Sequence, residues 1–248
     1  MIKHMPKNRF YSPALLSIGS SVQLPEAAAI HAIRVLRMTV GDVAILFNGD
    51  GIDYIGKFTS IKKNEVVVNI TESIALTNES PLNITLLQGI SSGDRMDYTI
   101  QKAVELGVKQ IQPIATERSV VKLNAERAAK RLAHWQNVVH SACEQSGRAV
   151  VPQVATPVSL GHWLSVNSHQ DACRILLNPI GAKRLVELEK PNATIQLLIG
   201  AEGGLSQNEI TIASNNGFQS ILLGPRVLRT ETAALAAMAS LHSIWGDF

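Results

Sequence analysis

Ile199 to Thr232, IGAEGGLSQNEITIASNNGFQSILLGPRVLRTET, holds two sharp loops, each directly after an apolar run. Thr194 to Ile199 (TIQLLI) enters Gly200-Ala201-Glu202-Gly203-Gly204, and Gln219 to Leu223 (QSILL) enters Gly224-Pro225-Arg226. Both loops therefore lie at carboxyl ends of strands. Ser206-Gln207-Asn208-Glu209 has the signature of a capping box, with Leu205 and Ile210 placed for the hydrophobic staple, so Ser206 and Glu209 are explained by a helix start. A helix start explains neither the cluster Gly200, Gly203 and Gly204 nor Arg226 and Arg229 flanking Val227-Leu228. Two phosphate motifs are excluded, because the stretch has no Gly-Lys-Ser/Thr and its glycine spacing is not G-x-G-x-x-G.

Outward from this stretch, strands alternate with helices. Asn83 to Ile90 reads as a strand, Asp94 to Leu106 as a helix closed by Gly107, Gln110 to Ala115 as a strand and Asn124 to Gly147 as a long helix. Leu132, Trp135, Val139 and Ala142 form its buried stripe, which makes Trp135 a core residue. A helical piece near Ser159 to Val166, a strand at Arg174 to Leu177, Lys183 to Leu188, the two loop-bearing strands and a last helix from Thr230 to about Ile244 follow. Strands separated by helices imply a parallel sheet covered on both faces, with ligands bound beyond the carboxyl ends. Asn178-Pro179, Gly200 to Gly204 and Leu223 to Leu228 all fall at such ends and form one expected pocket. Its amides, carbonyls and apolar walls suit an uncharged base and ribose. A side chain at Gly203 is expected to intrude on the space of a ligand held against the backbone.

Residues 8 to about 75 have another rhythm: short β segments around one helical piece, Pro25 to Met38. Val43 to Phe47, Tyr54 to Ile61 and Val66 to Ile70 are separated by turns at Asn48 to Gly51 and at Lys62-Lys63-Asn64, which suggests a small antiparallel barrel. Thr71 to Pro81 is polar and rich in turn formers, and the boundary is placed there, giving domains 1–75 and 76–248. Residues 1 to 37 carry five basic side chains, Lys3, Lys7, Arg9, Arg34 and Arg37, against Glu26; with a chain net charge of +3, the remainder sums to −1. The basic surplus argues for an anionic partner at the amino-terminal part. Hydrophobic residues make up 46% of the 248, enough for a sizeable core, yet the longest apolar run, Ala233 to Ala239, falls far short of the roughly 20 residues of a membrane span. With no apolar segment at the start, a soluble cytoplasmic protein is expected. Cys143 and Cys173 form neither a metal cluster nor a disulfide framework and read as buried free thiols.

As a whole the chain resembles the ribosomal small-subunit (16S) uridine N3-methyltransferase family, a branch of the SPOUT S-adenosylmethionine-dependent RNA methyltransferases. The resemblance rests on Gly200 to Gly204, Leu223-Gly224 and the R-x-LRTETA segment Arg226 to Ala233, in that order. It extends to KAVELGV (Lys102 to Val108), TERSVVK (Thr116 to Lys122), EQSGR (Glu144 to Arg148) with Pro152, and HAIRVLRMTVGD (His31 to Asp42). One departure is visible: Ala201 stands where the family usually has proline. The resemblance implies an α/β fold with a trefoil-knotted parallel sheet preceded by a PUA-like RNA-binding barrel. It also implies a homodimer, to which the small residues Ala233, Ala234, Ala236, Ala237 and Ala239 are suited, and no metal. S-adenosylmethionine contacts carried over are Leu177, Ile199, Gly200, Glu202, Gly203, Leu223, Gly224, Val227 and Leu228. RNA contacts are Arg9, His31, Arg34 and Arg37, with small-subunit ribosomal RNA in the assembled particle as partner. Methylation at N3 requires loss of an imide proton, and a fixed cation stabilises the resulting anion. Arg229 is the first choice and Arg226 the second; Glu231 either orients an arginine or acts as base, with Glu202 the alternative base. Two other readings stay open: a SPOUT enzyme that methylates transfer-RNA ribose, and a non-catalytic ribosome-assembly module whose glycine loops only turn the chain.

Overall fold

The computed structural model describes residues 8–63, 65–121, 124–167, 171–180 and 183–248. Lys3, Lys7, Asn64 and Lys122, named above, lie outside them. By contacts the chain divides into two units, Met1–Glu79 with His140–Val151, and Ser80–Val139 with Pro152–Phe248. The sequence reading had left 140–151 with the second domain.

In the first unit, β1 (Arg9–Tyr11), β2 (Ser21–Gln23), β3 (Val43–Phe47), β4 (Ile52–Lys62) and β5 (Glu65–Ala75) form one sheet in the order β1-β3-β4-β5-β2. All neighbours are antiparallel except β1 and β3, which pair in parallel, so the expected all-antiparallel pattern is corrected. The intervening β2 and helix supply the crossover that a parallel pair requires. Phe10, Leu46, Phe58, Val68 and Ile70 make its core. Thr71 to Ala75, expected in a linker, continues β5 against Ile52 to Ile55. All five side chains are exposed there, so no apolar alternation marks them as strand. The expected helix at 25–38 is shorter: α1 (Glu26–Ile30) runs into a wide π-turn, His31–Val35. That turn closes with Leu36 N–H on the His31 carbonyl at 3.1 Å.

The second unit holds β6 (Ile84–Gly89), α2 (Asp94–Glu105), β7 (Gln110–Ala115), β8 (Gln153–Val154), β9 (Val158–Ser159), α4 (Leu160–Val166), β10 (Ala172–Leu177), β11 (Lys183–Arg184), β12 (Thr194–Ile199), α5 (Gln207–Asn215), β13 (Gln219–Leu222) and α6 (Thr230–Trp245). The long helix α3 (Ala125–Ser146) begins here; its residues from His140 count with the first unit. Asn124 caps it by accepting from Arg127 N–H at 2.9 Å. The strand order is β11-β13-β10-β12-β6-β7-β8, with β9 on β7, and every recorded pairing is parallel. Central strands buried on both faces explain why β6, β10 and β12 are mostly apolar, each interrupted by a buried polar side chain, Gln88, Arg174 and Gln196 respectively. Trp135, Val139 and Ala142 are buried as the stripe required, and Cys143 is fully buried with its thiol pushed up to about 12, chiefly by burial. Cys173, expected to be buried, is half-buried.

The placement of β10, β12 and β13 side by side brings their carboxyl ends together. The loops that follow therefore open on one region, where the general rule for parallel sheets places a ligand.

Candidate active site

Those loops surround a cavity of about 780 Å³. All nine residues expected to contact a cofactor line it: Leu177 from the end of β10, Ile199, Gly200, Glu202 and Gly203 from β12 and its loop, and Leu223, Gly224, Val227 and Leu228 from the loop after β13. Arg226, Arg229 and Glu231 line it as well, and Asn178 and Pro179 supply the third loop. The size is that of a site for a small organic ligand.

The glycine loop is a closed turn. Gly204 N–H donates to the Ala201 carbonyl at 2.8 Å, and Gly204 takes a left-handed φ of 67°. A β-carbon on Gly200 would lie 2.8 Å from the Gly204 carbonyl carbon, so that close approach needs glycine. At Gly203 the structure adds a neighbour that the sequence did not name. An added β-carbon would lie 2.9 Å from the Arg118 β-carbon and 3.0 Å from its carbonyl oxygen, so it meets the Arg118 segment, itself part of the cavity wall. Ala201 is buried and half of this turn, so the loop keeps its path with alanine in place of proline.

Ser206 and Glu209 form the expected capping box, and Glu209 Oε1 also accepts from Glu117 N–H at 2.9 Å. Arg118 Nη1 donates to the Gly203 carbonyl at 3.3 Å. TERSVVK, through Thr116 to Val121, is thereby tied to the glycine loop and to the start of α5.

Glu202 is fixed by its neighbours. Its Oε1 accepts from Ser92 N–H at 2.8 Å, Ser92 Oγ at 2.8 Å and Arg95 Nη1 at 2.7 Å. Burial pushes its pKa up, but hydrogen bonds from the Ser92 and Glu202 backbone, the Ser92 hydroxyl and Arg95 outweigh burial and hold it at about 2. A carboxylate so acidic is a poor proton acceptor near neutral pH, and Glu202 is withdrawn as the alternative base. Glu231, in the first turn of α6, differs: its Oε2 is buried and has no hydrogen-bond partner among the described residues. Arg226 and Arg229 are exposed, and their side chains form no hydrogen bond or ion pair among the described residues. Arg229 is also the N-cap residue of α6, its carbonyl accepting from Ala233 N–H at 2.8 Å.

Sequence reading missed four residues here. Ser92 and Arg95 follow β6 at its carboxyl end, the same position that drew attention to the other loops. Gln88 and Thr230 lie deeper. Gln88 Nε2 donates to Thr230 Oγ1 at 2.8 Å, and Thr230 Oγ1 donates to the Gly200 carbonyl at 2.6 Å. A glutamine inside the apolar run of β6 was the available signal.

The expected RNA contacts separate into two kinds. Arg9 is 4% exposed, ion-paired with Asp53, stacked over Phe47 at 4.9 Å, and donates through Nη2 to the Arg148 carbonyl at 3.2 Å. It is corrected to a structural arginine, since a guanidinium enclosed in this way has no face for a phosphate. Arg148 is likewise buried and gripped at two points by Glu79, at 3.0 and 2.7 Å, while Glu144 accepts from Tyr11 N–H at 3.0 Å, so EQSGR serves the packing of the first unit. His31, Arg34 and Arg37 are all exposed on the π-turn and the segment after it. Arg37 takes a left-handed φ of 54°, a conformation that is costly for a residue with a side chain and that recurs at functional sites.

The cavity suits S-adenosylmethionine. Its walls combine leucines, isoleucines and valine with the backbone of two glycine-bearing loops, and Glu231 adds a buried carboxylate oxygen without a partner among the described residues. Among the described residues there is no group of three or more histidine, cysteine or acidic side chains placed to hold a metal ion, and no helix long and apolar enough to cross a membrane.

Comparison with known proteins agrees with this geometry. The family model described as an RNA methyltransferase domain matches residues 78–242, and the RNA methyltransferase PUA domain matches residues 24–71. The chain is 32% identical over 247 residues to the ribosomal RNA small subunit methyltransferase E of Buchnera aphidicola subsp. Acyrthosiphon pisum, across 100% of this chain and 97% of the relative. Among solved structures, the ribosomal RNA small subunit methyltransferase E of Neisseria gonorrhoeae bound to S-adenosylmethionine has a TM-score of 0.90 and 43% identity, covering 99% of this chain and 100% of that one. A Legionella pneumophila chain in complex with S-adenosylmethionine has a TM-score of 0.93 and 38% identity, covering 98% and 100%. In sequence, fold and the loops that line its cavity, the chain belongs to the ribosomal RNA small subunit methyltransferase E family, SPOUT enzymes with a PUA-like amino-terminal domain.

Proposed function

We propose that this protein transfers the methyl group of S-adenosylmethionine to N3 of a uridine in small-subunit ribosomal RNA, acting in the cytoplasm as a homodimer on the assembled particle. The observation that carries the reading is the closure of the glycine loop, the Leu223-Gly224 loop and the R-x-L-R-T-E segment around one cavity. Bound there, S-adenosylmethionine supplies an electrophilic methyl group.

The chain's own residues supply position and charge. Leu177, Ile199, Leu223 and Leu228 offer apolar surface to the adenosine, and the backbone of Gly200 to Gly203 and Gly224 offers donors and acceptors at close range. Arg229, uncommitted to other groups, stabilises negative charge on a uracil carbonyl as the N3 proton leaves; Arg226 is the second cation within reach of the same cavity. Glu231, with one carboxylate oxygen free, is the candidate proton acceptor. Alignment of donor and nucleophile contributes as well, up to about 7 to 11 kcal/mol in favourable systems.

A dimer is supported by the openness of the site. Val227 is 85% and Ile180 88% exposed although both line the cavity, so a second copy would cover apolar surface there. On α6, Ala234 and Ala237 are buried within the chain, while Ala233, Ala236 and Ala239 remain half-buried and allow close approach of another backbone. For RNA, His31, Arg34 and Arg37 are the contacts of the amino-terminal part.

The test is transfer of labelled methyl groups from S-adenosylmethionine to small-subunit particles from a strain lacking this modification, beside naked ribosomal RNA and transfer RNA. Labelling of the particles is expected. Labelling of transfer RNA alone, or of nothing, overturns the reading.

A further inference from the structure

We infer that Gln88 is a positioning residue that, through Thr230, fixes the cofactor loop to the segment bearing Arg229 and Glu231; this rests on the proposed function and deepens it. Gln88 is completely buried near the carboxyl end of β6, directly after the buried Leu86 and Leu87. Its Nε2 makes two donations, to the Gly89 carbonyl at 3.1 Å and to Thr230 Oγ1 at 2.8 Å. Nε2 has only protons to give, so at Thr230 the hydroxyl oxygen is the acceptor and its own proton is free to go elsewhere. That proton goes to the Gly200 carbonyl at 2.6 Å. The direction of the relay is therefore fixed: amide to hydroxyl to carbonyl.

Its position in the chain gives the relay its consequence. Thr230 stands between Arg229 and Glu231 and opens α6, whereas Gly200 opens the glycine loop. The two halves of the cavity wall, which come from loops after different strands, are thus held at one registered distance by a single hydroxyl. The strand ends are equally close: a β-carbon on Gly89 would fall 2.2 Å from Ala201 N. Gln88 Oε1 is buried without a partner among the described residues. An unsatisfied buried acceptor opposes stability, so an apolar residue of the same size removes that cost while it removes the donation to Thr230. Fold stability and site geometry therefore respond differently to substitution, which makes the role separable from ordinary packing.

The experiment uses the full chain with S-adenosylhomocysteine as probe, read by calorimetry, together with thermal unfolding without ligand and steady-state kinetics. Thr230→Val keeps shape and loses the hydroxyl; Thr230→Ser keeps the hydroxyl; Gln88→Met keeps length and loses the amide. The relay requires Thr230→Val and Gln88→Met each to weaken S-adenosylhomocysteine binding by about tenfold, the scale of one buried hydrogen bond, and to lower kcat at saturating cofactor. Thr230→Ser should restore most of both losses. The double variant should be no worse than the weaker-binding single one, because both changes break the same relay. Wild-type affinity and kcat in Thr230→Val overturn the inference, and so do additive losses confined to the unfolding temperature. If Gln88→Met does not fold, the Thr230 pair decides. Failure of the unaltered protein to bind S-adenosylhomocysteine would instead reject the proposed function.

Discussion

Replacing Glu202 by glutamine separates an anchored carboxylate from a catalytic base. The substitution keeps an oxygen that can accept from Ser92 and removes the charge that draws in Arg95. An ordinary glutamate has a value of 4.5 and Glu202 sits at about 2, a difference that at face value is worth roughly 3 kcal/mol. The side chain is 23% exposed and its Arg95 partner 45%, so solvent screening reduces this to about 1–2 kcal/mol. If that stabilisation holds the loop in its binding form, Glu202→Gln weakens S-adenosylhomocysteine about 5- to 30-fold and leaves kcat at saturating cofactor within about threefold. The sign of the pH effect follows from a depressed value in the folded state: the contribution is complete above pH 4.5 and is lost as pH falls toward 2. Affinity of the unaltered protein should therefore carry no Glu202 titration between pH 5 and 8. Calorimetry across that range and kcat profiles of both proteins are the assay. A group titrating between pH 5 and 8 that disappears in Glu202→Gln, or a thousandfold loss of kcat, would refute the reasoning and return Glu202 to the role of base.

Arg229→Ala should lower kcat by about 10² to 10³ with cofactor affinity little changed, and Arg229→Lys should recover only part, as single-turnover rates at saturating RNA and cofactor will tell. Gly203→Ala should already weaken S-adenosylhomocysteine about tenfold, because its β-carbon displaces the Arg118 segment; wild-type calorimetry would remove that packing argument. Charge removal at Arg34 and Arg37 should reduce RNA affinity and the slope of its salt dependence while S-adenosylhomocysteine binding stays unchanged, and an unchanged slope would relieve both of phosphate contact. Light scattering at micromolar concentration should give twice the 26.8 kDa of one chain, and a mass of one chain would reject the dimer.

The site was legible where function and local structure share a signal. Apolar strands followed by glycine loops can be read from the chain, and β7 and β12 occupy the expected residues. Capping at Ser206 is a local pattern and was equally plain. What stayed hidden depends on contacts distant in sequence. Arg9 and Arg34 look alike in the chain, yet Arg9 is enclosed by Asp53 and Arg148 and Arg34 is exposed, because charge counting carries no information on burial. Gly203 was assigned to ligand space alone, since nothing in its neighbourhood names Arg118, a partner that only the assembled sheet brings near. Thr230 lay within a motif already singled out, but its hydroxyl gained meaning from Gln88, 142 residues away.

The most direct test of the account is nucleoside mass spectrometry of small-subunit ribosomal RNA, methylated by the purified protein in particles from a strain that lacks the modification. The account predicts 3-methyluridine, absent without S-adenosylmethionine and strongly reduced with Arg229→Ala. A ribose-methylated nucleoside, a methylated base other than uracil, or no methylated product in that RNA would contradict it.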